Sequence, residues 1–353
     1  MSFKRLDAED FVVSSDTISA TLWSSSSPTL STFFTSSTQE AGSSGNYYLN
    51  IYQTGSSDAS AAIQFALAYG NNKGSGSLNY NSAVNGRSPT STIYGQFQNL
   101  VIGDENTNFS FGTVVSDEFY VLSIDRTRYK EKLLLGSLAL TISGSSGSVT
   151  LTDNAAYVSS VSFNEAGRVF QLITGSQGAI SSTLTRNTTD GYSKNSGSYG
   201  WFLPDIGTII LNSKALADYA VSGGIGLQYS GSSPGSVTPN RTPNASLYTA
   251  ISGGANFKLN SQETITSDFI FIRARNAEFN YSENPSYISG STGEIVYSSF
   301  INAPQTYVTT IGLYNDTNEL LAVAKLSRPL LKDFTKEALV RLKLDFWFGR
   351  VFL

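Results

Sequence analysis

The segment ALVRLKLDFWF, residues 338–348, alternates strictly: Val340, Leu342, Leu344, Phe346 and Phe348 leave one side, Arg341, Lys343 and Asp345 the other. A period of two belongs to a β-strand, whose successive side chains point to opposite faces. The segment is therefore expected to be a strand with one covered face and one wet face. Runs of similar length recur, among them FYVLSID from Phe119, LLLGSLALTI from Leu133, RVFQLIT, GTIILN and FIFIRAR from Phe269, with Ser, Gly and Asn between them. Such short runs separated by turn residues are strand signals. YVTTIGLY and ELLAVAKL flank Asn315-Asp316-Thr317-Asn318, which predicts a hairpin over 307–326.

These patterns make the fold mainly β, with antiparallel sheets of sandwich- or barrel-like kind, one or two short helices and an extended N-terminal arm. One helix is expected after Asp58, with Ala62, Ile63, Ala66 and Leu67 on one face and Gly70 as its stop. A second is expected over Ser213–Ala220, capped by Ser213 and stopped at Gly223-Gly224. Three regions follow. Residues 1–57 are the arm, in which short apolar pieces are separated by Ser runs. Residues 58–245 form a central β-rich domain. Residues 246–353 form a C-terminal β-domain holding the hairpin and the final strand. The Pro-rich stretch 229–246 reads as a surface loop or linker between the last two. The arm cannot bury much surface alone, so it is expected to pack on another domain or chain, and its removal to leave a folded core.

Composition narrows the chemistry. The 353 residues include no Cys and no His, and only 14% are charged, with a net charge of −4. Disulfides, thiolate sites and cysteine nucleophiles are excluded, and the commonest general base and metal ligand is missing. The charge gives no footprint for nucleic acid. No run reaches the 18 or so apolar residues of a membrane helix. The opening MSFKRLDAEDFVVSS has no apolar core of a secretory signal, which points to synthesis and assembly in a reducing cytoplasm. Aromatics at 12% set the chain apart from disordered low-complexity sequence.

Individual motifs fail on mechanism. Gly231-Ser232-Ser233-Pro234-Gly235 has the Gly-x-Ser-x-Gly spacing, but no His can take the serine proton and Pro234 lacks the N–H for an oxyanion hole. Adjacent acids at Glu9-Asp10, Asp104-Glu105 and Asp117-Glu118 would point to opposite strand faces, so none is a glycosidase pair. Asp104 to Asn108 begins like a calcium loop but has Phe109 where Gly is required and Val115 where the bidentate acid belongs. The glycine-rich loop Gly70–Ser77 has its Lys before the paired glycines, the reverse of a phosphate loop. No catalytic residue, cofactor site or metal site is expected.

What remains is contact chemistry. Arg126, Arg128, Lys130 and Lys132, partly neutralised by Asp125 and Glu131, read as a salt-bridge surface for another protein or as a solvated turn. Phe11, Phe33 and Phe34 are candidate anchors in the arm. Arg341, Lys343, Trp347, Phe348 and Phe352 are candidates at the C-terminal end. Tyr192, Tyr199 and Trp201 could stack on a sugar, although core aromatics are commoner than glycan platforms.

The strings FYVLSIDRTRYKEKLLLGSLALTISG, GWFLPDIGTIILN and TYVTTIGLYNDTNELLAVAKLSRPLLK, closing on RLKLDF, resemble virion structural proteins of contractile-tailed phages of marine cyanobacteria. The resemblance spans roughly residues 119–346 and extends to the start, MSFKRLDAEDFVVSSDTIS. The hairpin YVTTIGLYNDTNELLAVAKL is also similar to attachment domains that join tail fibres to baseplates. No active residues accompany this resemblance. It implies a non-enzymatic subunit of the baseplate or contractile tail, located in the virion, with other virion proteins and copies of itself as partners. A glycan-binding fibre component or a capsid or neck protein is the alternative. The tail FWFGRVFL departs from the group's pattern, either extending the final strand or inserting into a neighbour.

Overall fold

The computed structural model describes residues 4–35, 48–77, 80–84, 86–112, 114–181, 197–218, 223–228, 242–282 and 284–347. The fold is mainly antiparallel β, as expected. The chain divides into two units, Ile18–Glu263 and Met1–Thr17 with Thr264–Leu353. The boundaries drawn from sequence near 57 and 245 fall inside the larger unit.

The larger unit is built on a 13-stranded sheet that curls into a half-barrel. Its order is Thr29–Leu30, Phe257–Lys258, Ala139–Gly144, Gly147–Asp153, Gly167–Ser176, Gly200–Leu203, Thr208–Asn212, Glu118–Ile124, Ile63–Asn71, Tyr48–Tyr52 and Phe34–Thr35, with Ser162–Asn164 and Ala179–Ile180 on the Gly167–Ser176 strand. Its central strands are apolar on both faces, as strands covered on both sides must be. In Glu118–Ile124, Tyr120, Leu122 and Ile124 enter one core while Phe119 and Val121 enter the other. In Thr208–Asn212, Ile209 and Leu211 enter the first and Ile210 the second.

Helices cover the two faces. Helix α1 (Pro89–Val101) starts where Ser88 caps it and Pro89 takes the first turn, a position at which a missing N–H costs nothing. Thr90, Tyr94, Gln98 and Val101 form its buried stripe. It stops at Gly103, whose φ of +75° lets its N–H reach back to the Gln98 carbonyl. Helix α2 (Ser213–Ala217) and helix α3 (Pro243–Gly254) contribute Ala215, Leu216, Leu247, Ala250 and Ile251 to the opposite core. There Phe65 is fully buried, with the rings of Trp23, Phe33 and Phe257 at 6.3, 6.3 and 5.3 Å.

Several expectations are corrected. The segment after Asp58 forms a turn and then the Ile63–Asn71 strand, not a helix. Phe65, Leu67 and Tyr69 fit a strand face as well as Ala62, Ile63, Ala66 and Leu67 fit a helical one. Hydrogen-bonded ladders to both Tyr48–Tyr52 and Glu118–Ile124 decide between them. The helix expected from Ser213 is present but shorter, and its cap is Asn212, whose Oδ1 accepts from the Lys214 and Ala215 amides. Helices α1 and α3 stand where no helix was expected. The arm is not a separate element, because Leu22, Trp23, Leu30, Phe33, Leu49 and Ile51 lie in the core of the larger unit.

The smaller unit holds most of a four-stranded sheet in the order Phe11–Thr21, Asn260–Ala274, Ala338–Trp347, with Lys132–Leu133 also pairing with the start of Asn260–Ala274, and a separate hairpin of Thr306–Tyr314 and Leu320–Lys332. The fourth helix, α4 (Ser298–Asn302), also belongs to it. The final strand and the hairpin stand where the alternation placed them. Leu342 pairs with Ile270 and Val340 with Ile272 on one face; Arg341 pairs with Phe271 and Lys343 with Phe269 on the other.

Phe65→Ala removes a fully enclosed ring and is expected to cost about 3–5 kcal/mol, read as a lower denaturant midpoint. Deleting residues 1–57 removes core residues such as Trp23 and Ile51, so that truncation is expected to abolish cooperative unfolding. An unchanged transition in either variant would contradict the packing described.

Candidate functional site

The basic loop is built on a short 3-10 turn, Arg126–Arg128, capped by Asp125, whose Oδ1 accepts from the Thr127 amide at 2.9 Å. Its cations are spent inside the chain. The Arg126 guanidinium donates to the Tyr129 and Lys130 carbonyls and lies 4.6 Å from the Tyr129 ring centroid. Arg128 reaches the Thr127 hydroxyl at 3.1 Å, Lys130 pairs with Glu263 at 2.9 Å, and Lys132 pairs with Glu131 at 3.0 Å. Two of its four cations are paired with acids, and Arg126 and Arg128 make only neutral contacts within the turn.

The arm anchors separate. Phe33 is buried in the core, so it offers no surface to a partner; Phe34, pointing the opposite way from its short strand, is 44% exposed. Phe11 is exposed on the edge strand Phe11–Thr21. On the final strand, the Arg341 guanidinium sits 5.4 Å from the Phe269 ring, while Lys343 lies 6.0 Å from the same ring and 2.9 Å from Asp345. Trp347 ends that strand opposite Ile265. Phe348 and Phe352 lie outside the described residues, as do Tyr192 and the Gly231–Gly235 motif.

The other sugar-stacking candidates are corrected. Tyr199 is buried with its hydroxyl on the Gly223 carbonyl, and Trp201 packs 5.5 Å from both Phe109 and Phe111. Tyr199 is enclosed, while Trp201 is half-buried. Asp104 folds its own turn, accepting from the Asn106 amide at 2.9 Å and the Thr107 hydroxyl at 2.5 Å. Among the described residues no three acidic side chains gather in a way that could hold a metal ion, and no helix is long and apolar enough to cross a membrane.

Two clefts open on the larger unit. One, of about 620 Å³, lies between α1 and a floor of Ala66, Ala68, Val121 and Ser123, with Arg87 the one charged group in its lining. The other, of about 410 Å³, is lined by neutral groups that include Ser110, Asn154, Tyr157, Ser160 and Gln171. Neither holds a carboxylate pair or a base beside a hydroxyl, the minimum for hydrolytic chemistry without His.

Three buried polar groups were not evident from sequence. Glu118 accepts from the Tyr69 hydroxyl at 2.6 Å and from Asn71 Nδ2 at 2.9 Å; burial lifts its carboxyl above the ordinary value. Asp153 is also pushed up by burial, against the pull of the Gly136 and Ala155 amides that donate to it. Lys332 is fully buried in the smaller unit, donating to the Asn276 carbonyl, Asn280 Oδ1 and the Asp333 carbonyl at 3.0, 2.7 and 3.0 Å. Asp153 and Lys332 each secure a strand end to a turn, and Glu118 ties its strand to Ile63–Asn71. Their only advance signal was a charged residue at the margin of an apolar run.

Comparison with protein-family profiles, curated proteins and solved structures yields no match.

Glu118→Gln keeps an acceptor oxygen but cannot ionise. Because the folded value is raised, the folded chain holds the proton more tightly than the unfolded one. Wild-type stability therefore falls as pH climbs from the ordinary 4.5 through the raised value. The variant is expected to gain on the wild type in denaturant midpoint as pH rises above 4.5. Parallel curves would mean that Glu118 ionises without cost.

Proposed function

We propose that this chain is a non-enzymatic structural subunit of a tailed-phage virion, set in the baseplate or contractile tail and working by packing against several neighbours. The observation that carries this reading is the bare apolar surface of the smaller unit. Among its described residues only Ile270, Ala338 and Leu342 are buried apolar side chains. Val13, Tyr307, Leu321, Val323, Phe334 and Leu339 are all exposed. No apolar side chain of the Thr306–Tyr314 and Leu320–Lys332 hairpin is buried on either face. A two-stranded hairpin is marginal by itself in water, and a sheet without a core gains too little to offset its ordering entropy. Such surface marks an interaction site.

The larger unit is the opposite case, a filled core that can hold its shape while the smaller unit is gripped by neighbours. The resemblance to virion proteins of contractile-tailed phages supplies the setting: a virion assembled in the host cytoplasm, with other virion proteins as partners. For the receptor-binding alternative, Tyr199 is buried and Trp201 is half-buried against Phe109 and Phe111.

Gold labelling of a tagged subunit in intact particles tests the reading. Label on the baseplate or tail is the expected result. Label on capsid or neck would overturn the tail placement, and particles free of the subunit would overturn the structural role.

A further inference from the structure

We infer that the sheet of the smaller unit continues from one copy of this chain into the next, the Phe11–Thr21 edge of one copy pairing with the Ala338–Trp347 edge of its neighbour. This rests on the assembly reading above and names one of its partners as a second copy of the chain.

Both outer strands of the sheet flank Asn260–Ala274, and among the described residues neither has a strand on its far side. An edge strand presents unpaired N–H and C=O groups, and proteins that avoid edge pairing blunt such strands with Lys, Pro, bulges or shortness. The first edge has neither Lys nor Pro and is not short. It runs 11 residues, FVVSSDTISAT, without Pro, Lys or Arg, and every residue but Ser14 is exposed. The second runs 10 residues, also without Pro, and is close enough in length to match it.

The two edges differ in charge. Asp16 lies on the first, and the turn leading into it carries Asp7, Glu9 and Asp10. The second carries Arg341 and Lys343, both exposed, against Asp345. Lys343 already pairs with Asp345, whereas Arg341 rests on the Phe269 ring. Two first edges meeting would set acid against acid, while unlike edges bring Arg341 toward a strand whose one charge is Asp16. The favoured contact is therefore head to tail. Repeated from copy to copy, such a contact closes into a ring or grows into a filament, and each added copy pairs a full edge.

The Cys-free sequence makes the test direct. Single variants Val13→Cys and Ser15→Cys in the full chain are each mixed with Leu339→Cys and with Lys343→Cys, then oxidised. Disulfide-linked dimers are expected when a first-edge variant meets a second-edge variant, and little linkage when two first-edge variants meet. Sedimentation of the unmodified chain is expected to show oligomers that shrink in high salt. Arg341→Glu with Lys343→Glu should dissociate them, and adding Asp10→Lys with Asp16→Lys in the same chain should restore them. Linkage between two first-edge variants instead would overturn the head-to-tail pairing. A chain that stays monomeric at every attainable concentration would overturn pairing between copies. If that monomer is nevertheless found in the tail, the assembly reading stands and only the identity of the partner falls.

Discussion

Every strand sets side chains on two faces, and an apolar strand holds its place only if both are covered. In the larger unit α1 closes one face of the sheet, and α2 and α3 close the other. Tyr120 and Phe119, neighbours in sequence, thereby fill two different cores. At about 25 cal/mol for each Å² of apolar surface removed from water, this two-sided burial is the main source of stability. Buried polar groups such as Glu118 and Asp153 are accommodated because amides and hydroxyls meet their oxygens.

The smaller unit has no such cover. Its strands alternate between apolar and polar residues, and its apolar side chains are half-buried or exposed with few exceptions among the described residues. Local order comes instead from polar fasteners: Lys332 on three oxygens, Lys4 with Glu278 at 2.8 Å, and Ser267 with Asp345 at 2.6 Å. Such contacts fix geometry but stabilise weakly where solvent reaches them. The structure thus combines a unit with a filled core and one whose strands are formed but whose apolar side chains are mostly not enclosed.

How much was legible in the sequence depended on how local the deciding force is. The hairpin and the final strand were read correctly because alternation is written within each segment. At 59–71 the same residues satisfied a helical face and a strand face, and pairing with two distant strands settled the matter. Helix α1 announced itself mainly by Ser88-Pro89, since Thr, Ser, β-branched and aromatic residues and Gly95 weaken its helical propensity despite Gln96, Gln98 and Leu100. Phe33 and Phe34 looked equivalent, yet adjacent residues face opposite ways and only one is outside. The basic loop looked like a patch because the acid that takes up Lys130, Glu263, is far away in the chain.

Hydrogen exchange along the full chain, free in dilute solution and assembled in particles, tests the central claim most directly. The account expects the amides of Glu118–Ile124 and Thr208–Asn212 to be protected in both states. Those of Thr306–Tyr314 and Ala338–Trp347 should exchange fast in the free chain and slowly in the particle. Slow exchange of the hairpin and the final strand in the dilute monomer would contradict it, since the smaller unit would then be stable without neighbours.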